Sequence, residues 1–97
     1  MEIEAARTPV YRSAYLMETD RKECMKISTM AKVFAAEVAQ RAANNAIQVF
    51  GGYGLLERAP INRVWRDSRV LTITEGSVEV MLDRIALHVG ARPAKNA

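Results

Sequence analysis

The stretch ITEGSVEVM, Ile73 to Met81, sets a carboxylate, a glycine and a hydroxyl side by side ahead of an apolar run. Two chemistries fit that spacing. Glu75 could simply place negative charge at the positive end of a helix that begins at Ser77. It could instead take a proton from a bound molecule. That role needs a pocket that strips water from the carboxylate and raises its proton affinity, so that it acts as a base near neutral pH. Gly76 would then let a substrate pass close to the backbone. The spacing alone favours the helix-start reading.

A second candidate is QVFGGYG, Gln48 to Gly54, with three glycines in four positions. Bare N–H groups without side-chain bulk can lie against a phosphate or a flat ring. The segment matches neither a phosphate-binding loop nor a dinucleotide fingerprint, so a helix stop followed by a turn accounts for it equally well. In RVWRDSR, Arg63 to Arg69, the alternating charges could bind an anion, but such clusters are usually solvated or paired internally. Trp65 reads as a core or interface anchor. His88 has no partner that would make a metal site or a triad. Cys24 lacks a neighbouring histidine or second cysteine, so a buried, idle thiol fits better than a nucleophile.

The elements that must position these residues read as helices. Ile3, Ala6, Val10, Ala14 and Met17 recur at helical spacing, and Pro9 should weaken or bend that helix unless it starts near Thr8. Asp20 to Glu23 forms a polar connection. From about Met25 to Phe50 runs the longest periodic segment, with Met30, Phe34, Val38, Ala42, Ala46 and Val49 in one stripe and Val33 and Ala35 beside it. Gly51 and Gly52 stop it. After Pro60 a shorter amphipathic piece carries Val64, Trp65, Ser68 and Leu71, and its end, Leu71 to Thr74, could be extended. The last helix starts at Ser77, turns Val78, Met81, Leu82, Ile85 and Val89 inward, and closes at Gly90. The expected architecture is all-α, a partial up-down bundle of three to four helices of unequal length.

Composition bounds the function classes. Apolar residues make up 49% of the 97, enough for a core, and only 6% are aromatic, which favours close-packed helices over a strand sandwich. The net charge is +3, with both signs scattered in pairs such as Glu4 and Arg7. No basic block with interleaved aromatics points to nucleic acid, and no apolar run is long enough to span a bilayer. One cysteine excludes an internal disulfide and suits a reducing compartment. The expectation is a soluble protein, cytoplasmic or, in a eukaryote, of the mitochondrial matrix.

Taken in order, the pieces say more than any one of them. EIEAAR, STMAKVFAAEVAQRAANNAIQVFGGYG, PINRVWRDS and ITEGSVEV resemble the C-terminal helical domain of acyl-CoA dehydrogenases over nearly the whole chain. The resemblance implies FAD-dependent α,β-dehydrogenation of an acyl-CoA thioester, with electrons passed on to a further acceptor. It makes Glu75 the base that removes the α-proton and places Gly76 beside the thioester. Ser77 and Glu79 match positions that touch the flavin nucleotide. Gln48, Gly51 and Gly52 match the segment that contacts the adenosine-diphosphate end of a neighbouring subunit's FAD, so a homo-oligomer is implied.

Three positions depart from the family pattern. Thr74 stands where an aromatic residue is common, Asn62 where glutamate is, and Leu55 where tyrosine is. Residues 1–90 read as a domain that is N-terminally incomplete, followed by a flexible tail at 91–97. The arginine–phenylalanine–glycine segment that precedes this domain in the family is missing. The chain alone is therefore expected to be inactive. Each large apolar side chain left uncovered forfeits about 1.5–3 kcal/mol against a domain stability of about 5–15 kcal/mol, which favours self-association. The alternative function is a non-catalytic helical module, derived from the family, that serves in self-association or partner binding.

Overall fold

The computed structural model describes residues 1–92, and among them the regular elements are all helical. Helix α1 spans Glu2–Thr19, α2 spans Arg21–Phe50, a 3₁₀ turn covers Gly51–Leu55, α3 spans Pro60–Val70 and α4 spans Val78–His88. The partial helical bundle expected from the sequence is thus present. Residues 93–97 of the expected tail lie outside the described residues.

One residue, Asp20, separates α1 from α2, so the connection is tighter than the four-residue link predicted. Its backbone is extended, at φ −148° and ψ 93°. Its N–H donates to the Leu16 carbonyl to finish α1, and its carboxylate accepts from the Glu23 N–H at 3.0 Å to start α2. A single residue therefore serves both helix ends, its backbone one and its side chain the other. The pair is antiparallel: the Cys24 thiol donates to the Ser13 carbonyl at 3.2 Å, and Arg41 meets Glu2 at 2.9 Å. Cys24 is buried, the idle role its surroundings suggested.

Helix α1 runs from Glu2 through Pro9, so it does not start near Thr8. The inward face is Ala6, Pro9, Ser13 and Leu16, all half-buried, whereas Ile3, Val10 and Met17 of the predicted stripe are exposed. The true face is rotated by roughly one residue, about 100°. It turns the half-buried Pro9 toward α2.

Helix α2 is the spine. Each of α1, α3 and α4 packs on α2, and the backbones of the three do not approach one another closely. At about 3.6 residues per turn, Cys24, Ile27, Ala31 and Val38 fall on the face that meets α1. Val33, Ala36 and Ala43 fall on nearly the opposite face, toward α3 and α4. The single predicted stripe captured only the first side. Its far members, Ala42 and Val49, are exposed because α1 starts at Glu2, opposite Arg41, and covers nothing beyond.

Gly51 ends α2 at φ 64° and ψ −146°, a region that essentially only glycine occupies. Pro60 takes the first position of α3 behind the buried Ala59. Leu71 to Thr74, predicted as a possible extended piece, are instead helical turns that finish α3: Leu71 has φ −61° and ψ −24°. In α4, Met81 is buried, but Leu82, and Val89 just after the helix, face outward, because one side of this helix rests on α2 and none of the other described helices covers the opposite side.

Candidate functional site

The link between α3 and α4 is built by short-range hydrogen bonds. Ile73 and Thr74 donate their N–H groups to the Val70 carbonyl at 2.9 and 3.0 Å, and the Thr74 hydroxyl donates to the same oxygen at 3.1 Å. Thr74, where the family often has an aromatic side chain, thus serves as a cap on α3. The Val78 N–H then crosses the link to the Thr72 carbonyl at 3.2 Å. Between these bonds the chain reverses through Glu75 at φ 55° and Gly76 at φ 96°.

Glu75 is the one non-glycine residue with positive φ among the described residues, and its side chain is exposed. That conformation costs an L-residue about 1–2 kcal/mol, so something must hold it. The hold comes from α2. The Lys32 ammonium donates to the Thr74 carbonyl at 3.2 Å and to the Gly76 carbonyl at 2.6 Å, gripping the backbone on either side of Glu75. Behind Gly76 a side chain would strike the S-methyl end of the buried Met81. The φ of Gly76 is what favours glycine there, since the flexible end of Met81 could turn aside for a Cβ.

Ser77 caps α4 as predicted, its hydroxyl accepting from the Val80 N–H at 3.4 Å. Glu79 lies two residues on, in the first turn of α4. Its carboxyl is held below the ordinary value of 4.5, chiefly by hydrogen bonding to its own backbone N–H and next by the Ser77 hydroxyl; slight desolvation opposes this, and the charge of Arg69 adds to it. Ser77 and Glu79 share a recess of about 400 Å³ with Glu37, Arg69 and Thr72. Arg69 donates to the Thr72 hydroxyl there. The hydroxyls and the guanidinium suit oxygens of a ligand, and the carboxylates of Glu37 and Glu79 suit sugar hydroxyls while opposing a phosphate.

Gln48, Gly51 and Gly52 are not part of that cluster. They sit exposed at the far end of α2, about 24 Å along its axis from Lys32 at 1.5 Å rise per residue. No atom lies within 4 Å of where a Cβ would stand on Gly51 or Gly52, so a flat or anionic group could rest there. Two separate surfaces therefore carry the predicted residues, one around Glu75 and one at the α2 terminus.

Other charged candidates resolve into structure. Arg63 pairs with Asp67 at 3.7 Å, and both are largely exposed, as is the Glu4–Arg7 pair at 2.8 Å. Asn62 donates to the carbonyls of Gly54 and Leu55, each at 3.4 Å, a task that the family's glutamate, without a donor, could not perform. No group of residues able to hold a metal occurs among the described residues, and no helix there is long and apolar enough to cross a membrane. Sequence reasoning missed Lys32. The available signal was a single cation inside the otherwise small and apolar run MAKVFAA.

The profile described as "Acyl-CoA dehydrogenase, C-terminal domain" matches residues 1–90. The chain is 39% identical over 79 residues to cyclohexane-1-carbonyl-CoA dehydrogenase of Geobacter metallireducens, covering 81% of this chain and 20% of that protein. It is 42% identical over 82 residues to the short-chain specific acyl-CoA dehydrogenase of Megasphaera elsdenii, covering 84% of this chain and 21% of that protein. It is 39% identical over 79 residues to the CarC subunit of the caffeyl-CoA reductase–Etf complex of Acetobacterium woodii, covering 81% and 21%. The chain spans about a fifth of the length of these curated relatives. Helix order, the glycine-terminated spine, the glutamate–glycine–serine turn and these matches agree: the chain belongs to the acyl-CoA dehydrogenase family and corresponds to its C-terminal helical domain.

Proposed function

We propose that this chain supplies the catalytic base and part of the flavin site of an FAD-dependent enzyme acting on the α,β-bond of acyl-CoA thioesters. The observation that carries the reading is Glu75 itself, held left-handed and exposed at the mouth of α4 and clamped from both sides by Lys32. A fold rarely keeps a glutamate in that conformation for packing, since an exposed side chain packs against nothing. In this reading a Glu75 oxygen takes the proton from the α-carbon of the thioester, and Gly76 lies alongside. The cofactor, when bound, supplies the acceptor for the hydride that leaves the β-carbon. Ser77 and Glu79, with Arg69 and Thr72 in the same recess, bind its polar portion. Gln48, Gly51 and Gly52 offer a second, open surface for the nucleotide end of an FAD belonging to another subunit. Their distance from Glu75 along α2 supports such sharing, because one chain does not bring the two surfaces together.

A pocket around Glu75 has to be completed by parts other than this chain, for the carboxylate is exposed here. The chain mixed with FAD and an acyl-CoA is expected to show no turnover with an artificial electron acceptor. In the flavin-loaded assembly that contains the chain, Glu75→Gln is expected to lower turnover by orders of magnitude with flavin content unchanged. Near-normal turnover in that variant would place the base elsewhere. The names of the relatives include both dehydrogenases and a reductase, so the assay is run in both directions.

A second reading, a self-associating helical module without catalysis, is favoured by the outer face of α1. Ile3, Val10 and Met17 lie on one stripe there, 62%, 46% and 68% exposed. Unaltered activity on deleting Glu75's carboxylate, together with a concentration-dependent oligomer, would select it.

A further inference from the structure

We propose that Lys32 is a positioning residue for Glu75, and that its ammonium fixes the turn on which the carboxylate is presented. The structural half of this inference stands alone; the catalytic half rests on Glu75 being the base.

Lys32 lies on α2, the most buried helix, more than forty residues before the turn it grips. Its partners are two main-chain carbonyls, those of Thr74 and Gly76, and among the described residues it forms no ion pair with a carboxylate. An ammonium has three donors and no preferred plane, so it can hold two carbonyls at once. These two oxygens flank the only left-handed non-glycine residue described. Holding the Thr74–Glu75 peptide and, one residue further on, the Gly76–Ser77 peptide pins the turn on both sides of Glu75 and so limits the direction in which its side chain leaves the backbone.

The surroundings suit that task. Lys32 borders an apolar recess of about 360 Å³ formed with Ala35, Ala36, Ala39 and Leu71. Small side chains leave room for the lysine stem to run toward the turn, and little polar surface competes for the ammonium. The remaining hydrogen bonds of the link reach Val70 and Thr72, within the same α3 end, and do not tie it to α2. Lys32 thus makes the polar connection between the turn and the spine.

The test has three parts. In the unaltered full chain, NMR is expected to show scalar coupling across the hydrogen bonds from the Lys32 ¹⁵Nζ to the carbonyl carbons of Thr74 and Gly76. It should also show the strong intraresidue amide–Hα Overhauser effect of a positive φ at Glu75. In Lys32→Met, that effect should weaken and the Val78 amide should exchange at least tenfold faster, while Cys24 and Ala31 amides keep their protection. A freely rotating ammonium in the unaltered chain, or an unchanged turn in the variant, overturns the proposal; the first measurement decides it if the variant does not fold. In the flavin-loaded assembly, Lys32→Met should lower kcat at least tenfold with KM and flavin content near their original values. Full kcat in Lys32→Met beside an inactive Glu75→Gln would sink the positioning role and leave the base. Full activity in Glu75→Gln would sink the base and the catalytic half of this inference, while the NMR result still judged the clamp.

Discussion

At the scale of single residues, the two glycines after α2 separate structural need from ligand contact. Gly51 has a φ and ψ that a Cβ makes costly, so Gly51→Ala should destabilise the chain by about 1–3 kcal/mol in urea unfolding. Gly52 has neither positive φ nor a neighbour within 4 Å, so Gly52→Ala should change stability by less than about 0.5 kcal/mol. If FAD rests on that surface, Gly52→Ala should nonetheless weaken flavin retention in the assembly; equal retention would remove Gly52 from the site. Glu79 gives a pH dependence. Its carboxyl is depressed below 4.5, so its contribution is present above that pH and lost as pH falls through the lower, folded-state value. Stability measured from pH 6 to pH 3 should fall less steeply in Glu79→Gln than in the unaltered chain. The glutamate, glycine and serine of the turn were legible because their types and order are unusual. Lys32 was not, since its role depends on a contact between positions far apart in the sequence.

Among the elements, the Asp20 junction offers the cleanest check. Because its carboxylate caps α2 and its N–H closes α1, Asp20→Ala should cost about 1 kcal/mol, read as a lower urea midpoint with an unchanged slope. Asp20→Asn, which keeps an accepting oxygen, should recover most of it. Helix existence, the stop at Gly51 and the start at Ser77 could be read from the sequence, because caps and glycines act locally. The facing directions could not. Ala6, Pro9, Ser13 and Leu16 look less apolar than Ile3, Val10 and Met17, yet they form the inward face of α1. Periodicity gives the period of a stripe, and a helix with apolar residues on two sides leaves its phase open. In α2 the presence of partners on opposite faces produced a second buried row that a one-stripe reading passes over.

For the whole molecule, the uncovered apolar surface predicts association. Exposed Ile3, Val10 and Met17 on α1, with Leu82, Leu87 and Val89 on α4, should draw copies together, so sedimentation between 5 and about 200 µM is expected to show growing mass. Replacing Ile3, Val10 and Met17 with glutamine together should return it to a monomer if α1 is the contact. The arrangement in which α1 lies on one side of α2, with α3 and α4 on the other, has a different consequence. Perturbations on the two flanks communicate solely through one rod, so Leu16→Ala on α1 and Met81→Ala on α4 should cost independent amounts that sum when combined. The α1 flank could then drift in evolution, or be redesigned for new assemblies, without retuning the turn that presents Glu75.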